Sequence, residues 1–289
     1  LATLKEVLEK AEQGNYAVGA FNCTSLESGM AIVETAEELN SPVILQYADS
    51  HRHLISIDVI GPIMLQLAKI AKVPVVVHLD HGASIESCRH AVDMGFTSVM
   101  YDASAKPFED NVAETRSVVE YAHERGASVE AELGHILTSK AGAAEGNGKS
   151  YTREEAYTDP EMAKEFIERT NVDALAIGFG TAHGIYTEKP VLDLNRIALI
   201  KSAKDIPYVM HGGSGLSEEE YRTAIHNGIR KINYYTYLSL AGGRGVMQYL
   251  EDKKDKDAIY FEDIAKAGIT AMKADVKRAM KIFESDGKI

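Results

Sequence analysis

Three histidines stand at or next to the ends of separate apolar runs: His81 in VPVVVHLDHG, His183 in DALAIGFGTAHG and His211 in IPYVMHGGSG. Neutral imidazole is a metal ligand, and three protein ligands with a fourth position open is the arrangement of a catalytic zinc site, not a structural one. Cobalt, manganese or ferrous iron suits the same donors. Asp80 stands beside the first histidine in a run otherwise free of acids. A carboxylate there can move a proton on a substrate whose oxygen the metal polarises, or it can hydrogen-bond a ligand histidine. In VEAELG, Glu130 and Glu132 are two residues apart, so strand alternation sends both to one face. Buried carboxylates need cationic partners or a metal, and Glu132, nearer the end of its run, is the candidate for a place beside the ion. HGGSG at 211–215 and KINYYT at 231–236 suggest an anion cradle. Gly212 and Gly213 allow close backbone approach, while Ser214 and Thr236 offer hydroxyl donors.

These residues need a scaffold that gathers them. Eight short runs, at 16–22, 42–48, 74–80, 98–102, 128–133, 174–179, 208–212 and 231–236, are nearly all continuously apolar, as parallel strands covered on both faces are. Amphipathic stretches at 26–39, 85–94, 111–125 and 218–227 alternate with them, several opened by a helix-capping residue. The pattern predicts an α/β fold, a TIM (β/α)8 barrel, as a single domain over 1–289 with an additional C-terminal helix at 260–284. Loops that follow barrel strands ring one mouth, so the ends of the third, sixth and seventh runs deliver His81, His183 and His211 to one place. The Gly-, Ala- and Ser-rich stretch 136–152 is expected to be a mobile loop at that mouth. His90, His123 and His226 fall in helical stretches and are read as surface residues; His78, on the same side of its run as Asp80, is harder to exclude.

Composition narrows the partners. The 289 residues carry a formal charge of −12 without a dense Lys/Arg block, which argues against nucleic acid and against an anionic membrane surface. Two isolated cysteines fit a reducing cytoplasm, and no run of about 18 apolar residues suggests a membrane span. After the second run, ADSHRHL places His51, Arg52 and His53 on the expected rim, where Arg52 with a neighbouring histidine could receive an anionic end of a substrate.

AFN at the first run, HLDHG, SVMYDAS, VEAELG, GTAHGIY, HGGSGLS and GIRKIN occur in this order over almost the whole chain. In this the sequence resembles the class II, metal-dependent ketose-bisphosphate aldolases, of the fructose-bisphosphate and tagatose-bisphosphate type. The resemblance implies reversible aldol cleavage of a phosphorylated ketose to dihydroxyacetone phosphate and an aldehyde through a zinc-stabilised enediolate. It makes His81, His183 and His211 the zinc ligands, Asp80 the acid/base at the C4 oxygen, and Glu132 a neighbour that can bind the metal in an alternate position. Asn22, Gly184, Gly212, Gly213, Ser214, Asn233 and Thr236 become substrate-binding residues for the dihydroxyacetone phosphate half, with Na+ or K+ as an aid. It further implies a homodimer or homotetramer. Family members protonate the enediolate from a loop glutamate in a GG-x-ED pattern that this chain lacks; Glu145, the only acid between Glu132 and Glu154, is the candidate. Thr187, Tyr234, Tyr235 and Glu262 also depart from the family pattern around the far half of the substrate. Two other readings stay open at this point: a metal-dependent sugar-phosphate isomerase or epimerase, and a metal- or phosphate-binding barrel that has lost catalysis.

Overall fold

The β-branched runs form ten strands in the computed structural model, which describes residues 1–138, 152–186, 188–254 and 258–289. They are β1 (Val18–Asn22), β2 (Val43–Ala48), β3 (Val75–Gly82), β4 (Ser98–Tyr101), β5 (Ser128–Leu133), β6 (Leu137–Thr138), β7 (Ala174–Ile177), β8 (Ala182–His183), β9 (Tyr208–Met210) and β10 (Ile229–Tyr234). Eight of them close a barrel in the order β1-β10-β9-β7-β5-β4-β3-β2, with neighbouring strands parallel. The short β6 and β8 pair with each other outside it. The expected barrel is therefore present, helices between its strands.

Local chemistry accounts for most element boundaries. Ser25, Ser84 and Ser217 each accept a backbone N–H and open the helices Leu26–Leu39, Ile85–Met94 and Glu218–Asn227 with a capping box. The last barrel strand begins two residues before the expected 231, because Gly228, at φ 127°, ends the preceding helix and Ile229 pairs at once with Tyr208. Thr236, expected within that strand, instead opens the helix Thr236–Asp252. The C-terminal helix Phe261–Ile282 packs on it and on Leu26–Leu39.

Alternation along the strands divides the core. Outward residues such as Phe21, Leu45, Val77, Val129 and Ile232 pack under the helices. Inward residues at the N-terminal ends, among them Val18, Ile44, Val76 and Val209, meet Leu4, Val7, Leu8 and Ala11 of the helix Leu4–Gly14, which closes that end. Toward the C-terminal ends the inward positions turn polar: Asn22, Gln46, Asp80, Glu132 and Asn233 are all buried. Asn22 is level with Gln46, and Ala48 with Asp80. The barrel interior is thus apolar at the closed end and polar at the mouth. Among the described residues, no helix is long and apolar enough to cross a membrane.

Candidate metal centre and active site

Simple alternation would send His81 to the outer face, opposite Asp80. A register shift between Leu79 and Gly82 and a left-handed backbone at His81, φ 46°, turn it over the mouth beside Asp80. A left-handed histidine is uncommon and strained, and such strain is concentrated at functional sites. His211 follows β9 directly, and His183 ends β8, outside the barrel sheet. Tyr186 ties these two segments together: its hydroxyl accepts the Ala182 N–H at 2.8 Å and donates to the Gly212 carbonyl at 2.7 Å. Gly212, at φ 63°, is required here, since a Cβ would stand 2.6 Å from the Ala182 carbonyl.

The three imidazoles converge. Their ring centroids are 4.6 Å (His81 to His211), 5.4 Å (His81 to His183) and 5.9 Å (His183 to His211) apart. Ligand atoms of the three lie within 4.8 Å of one another, and the same holds for His81, Asp102 and Glu132. Asp102 holds His81 Nδ1 at 2.9 Å, and Glu130 holds His211 Nε2 at 2.9 Å. Carboxylates that grip the far nitrogen in this way fix the ring and leave the near nitrogen as a donor to a metal. Asp80 receives Asn233 Nδ2 at 2.9 Å and Gln46 Nε2 at 3.2 Å, with Asn22 Nδ2 at 3.5 Å.

Charged groups around the cluster shift one another's proton affinity. Burial alone would raise the pKa of Asp80, but His81, His211 and Lys231 outweigh it and bring it to about 2, so Asp80 is a carboxylate. Burial opposes charge on His81 too, yet Asp80, Asp102 and Glu132 raise its pKa well above the ordinary value. Burial, with the positive charge of His81 and Lys231, pushes His211 well below it. The near nitrogens His81 Nε2 and His211 Nδ1 are 2.9 Å apart, a contact that the two rings make as a hydrogen bond, with one nitrogen donating. Imidazole nitrogens flanked by Asp80, Asp102 and Glu132 are a donor set that fits a divalent metal. His78 is not part of it: fully buried lower in the barrel, it meets Ser98 Oγ at 2.8 Å.

A cavity of about 220 Å³ opens over this cluster. Asn22, Gly184, Gly212, Ser214, Asn233 and Thr236 line it, together with Asp80, His81 and His183. Gly213 is buried behind the wall, its carbonyl accepting the Tyr221 hydroxyl. Thr236 lines the same cavity and starts a 17-residue helix with no side-chain hydrogen bond at its N-cap, so the positive end of that helix lies at the cavity. Arg52 does not line the cavity. The turn Asp49–His53 directs its guanidinium to Asp49, 2.6 Å away, with the side chain 65% exposed. Its neighbour His51 is the residue that reaches the wall, its ring centroid 4.6 Å from that of Tyr235. Glu145 and Thr187, and residues 139–151 of the expected loop, lie outside the described residues.

The family model described as "Fructose-bisphosphate aldolase class-II" matches residues 2–288. The chain belongs to this family. It is 41% identical to the fructose-bisphosphate aldolase of Geobacillus stearothermophilus over 291 residues, covering 100% of this chain and 98% of that one. It is 40% identical over 261 residues to that of Staphylococcus aureus, covering 88% of each. Among solved structures, the YdjI aldolase of Escherichia coli K12 matches with a TM-score of 0.84 at 33% identity, covering 100% of this chain and 99% of that one. The protein is thus an aldolase, a carbon–carbon lyase, in a metal-dependent family whose substrate is a phosphorylated ketose and whose product is dihydroxyacetone phosphate.

In this aldolase several site residues escaped the sequence. Gln46 and Asp102 act through side chains on neighbouring strands, and Tyr186 through two backbone groups. The sequence carries a signal for His51 in the polar turn after β2 and for Asp102 in SVMYDAS.

Proposed function

We propose that this aldolase splits the C3–C4 bond of a ketose phosphorylated at C1, with Asp80 as the acid/base. The observation that carries this reading is an ionised, buried Asp80 oriented by Asn233 and Gln46, its Oδ1 4.0 Å from His81 Nε2 at the floor of the cavity. His81, His183 and His211 would hold zinc, with Glu132 at its side; the ion supplies Lewis acidity toward the oxygens of the substrate. The phosphate lies against the Gly212–Ser214 turn and the backbone N–H groups at Thr236, which place C3 and C4 over Asp80. Asp80 takes the proton of the C4 hydroxyl as the C3–C4 bond breaks; the C4 fragment leaves as an aldehyde and the electron pair stays with the C2–C3 unit as an enediolate. A second acid then delivers a proton to C3, a role we assign to Glu145, which lies outside the described residues. In the aldol direction Asp80 returns its proton.

The far end of the substrate meets Ser50, His51 and Tyr235. No lysine or arginine is among the described residues that line the cavity, which favours a neutral polyol tail over a second phosphate. The names of the relatives favour fructose 1,6-bisphosphate, so the two substrates are to be compared directly. Cys23 and Cys88 are free and buried, which supports a cytoplasmic setting. Met247, Tyr260 and Phe261 expose 71%, 62% and 76% of their surface on the C-terminal helices and the segment joining them, which supports a homo-oligomer.

The test is Asp80→Ala. Its kcat falls about 100- to 10,000-fold while zinc per chain is unchanged. Loss of zinc with kcat would make Asp80 a support for the ligands and leave the reaction without its base.

A further inference from the structure

We propose that Lys231 is a positioning residue that sets the hydrogen-bond polarity of both the base and one metal ligand. The inference rests on the roles given above to Asp80 and the three histidines. Lys231 is fully buried on the inner face of β10. Layers nearer the closed end of the barrel are filled by residues such as Val76 and Val209, so an ammonium at this depth is not needed for packing and is costly to desolvate.

Its Nζ has two partners, Glu130 Oε2 at 2.8 Å and Asn233 Oδ1 at 2.7 Å. An ammonium only donates. Asn233 must therefore present its oxygen to Lys231, which leaves Nδ2 to donate to Asp80 Oδ1 at 2.9 Å. With the amide reversed, two oxygens would face each other at Asp80. On the other side, Lys231 pairs with Glu130 Oε2, and the other oxygen of that side chain, Oε1, accepts from His211 Nε2 at 2.9 Å. His211 then carries its proton on Nε2 and turns the lone pair of Nδ1 toward His81, where an ion is to bind. One ammonium thus orders two arms, one ending at the base and one at a metal ligand. His78, 3.7 Å from Glu130 through Nε2, borders the same carboxylate without reaching the cavity.

The experiment is Lys231→Met in the full chain, read as zinc retention against a chelator and as kcat and KM on the best ketose phosphate. Zinc retention falls about tenfold or more, and kcat falls about tenfold or more with KM within about threefold. Parent-like zinc retention and kcat in a folded Lys231→Met protein overturn the proposal. Should the unpaired Glu130 prevent folding, Lys231→Met/Glu130→Gln removes both charges and keeps a side-chain oxygen that can accept from His211 Nε2. A double variant with parent thermal stability but weak zinc and low kcat supports the positioning role; one that regains stability, zinc and kcat together shows a purely structural ion pair and overturns it. Asp80→Ala in the parent background is the separate control: if its kcat survives, the reading of the base fails whatever Lys231 does.

Discussion

A base that works away from bulk water must be ionised before substrate arrives and aimed at one proton. Asp80 meets both conditions, through the positive groups that lower its pKa and the two amides that fix its oxygens. At this scale the proposed reactive groups are legible in the sequence and their supports are not. Asp80, His81, His183 and His211 could be named because each stands at the end of an apolar run. The polar turn after β2 offers Arg52 together with a neighbouring histidine because a guanidinium suits an anion, and nothing in a linear sequence shows that Asp49 pairs with Arg52. The structure turns that reading into a prediction. His51→Ala should lower kcat/KM on the best ketose phosphate about tenfold, mainly through KM, by removing the ring that borders Tyr235 at the far end. Arg52→Ala should leave the same ratio unchanged; the reverse pattern in steady-state kinetics returns the distal role to Arg52.

Elements position these residues by departing from their own regularity. Capped helices and apolar strands were legible, since Ser25, Ser84 and Ser217 mark helix starts by their side chains. The bulge that rotates His81 and the β6–β8 pair that carries His183 were not, because both depend on which strands lie side by side. The turn after β9 is where such a departure can be tested. Gly212→Ala places a Cβ 2.6 Å from the Ala182 backbone at a left-handed position, so it should displace the His183 segment. Thermal stability falls by about 1–3 kcal/mol, and zinc retention falls with it. Gly126→Ala is the matched control, also left-handed at φ 75° but with no atom within 4 Å of the added Cβ. It loses stability alone. Equal zinc retention in the two variants would separate Gly212 from the metal centre.

At the scale of the whole molecule, a barrel sealed at one end by an apolar helix and polar at the other confines ionised groups to one mouth. Family membership selects aldol cleavage over the isomerase and inactive-barrel readings that the residues alone left open. The distal end of the cavity stayed illegible in the sequence because it brings together Ser50 and His51 of one turn with Tyr235 from a distant part of the chain. The most direct test of metal-dependent cleavage is the release of dihydroxyacetone phosphate from a ketose 1-phosphate and from fructose 1,6-bisphosphate, measured after chelator treatment and again after zinc is restored. The triose phosphate should vanish with verified loss of metal and return with zinc, faster from the singly phosphorylated ketose. Undiminished release from metal-free protein would contradict the account.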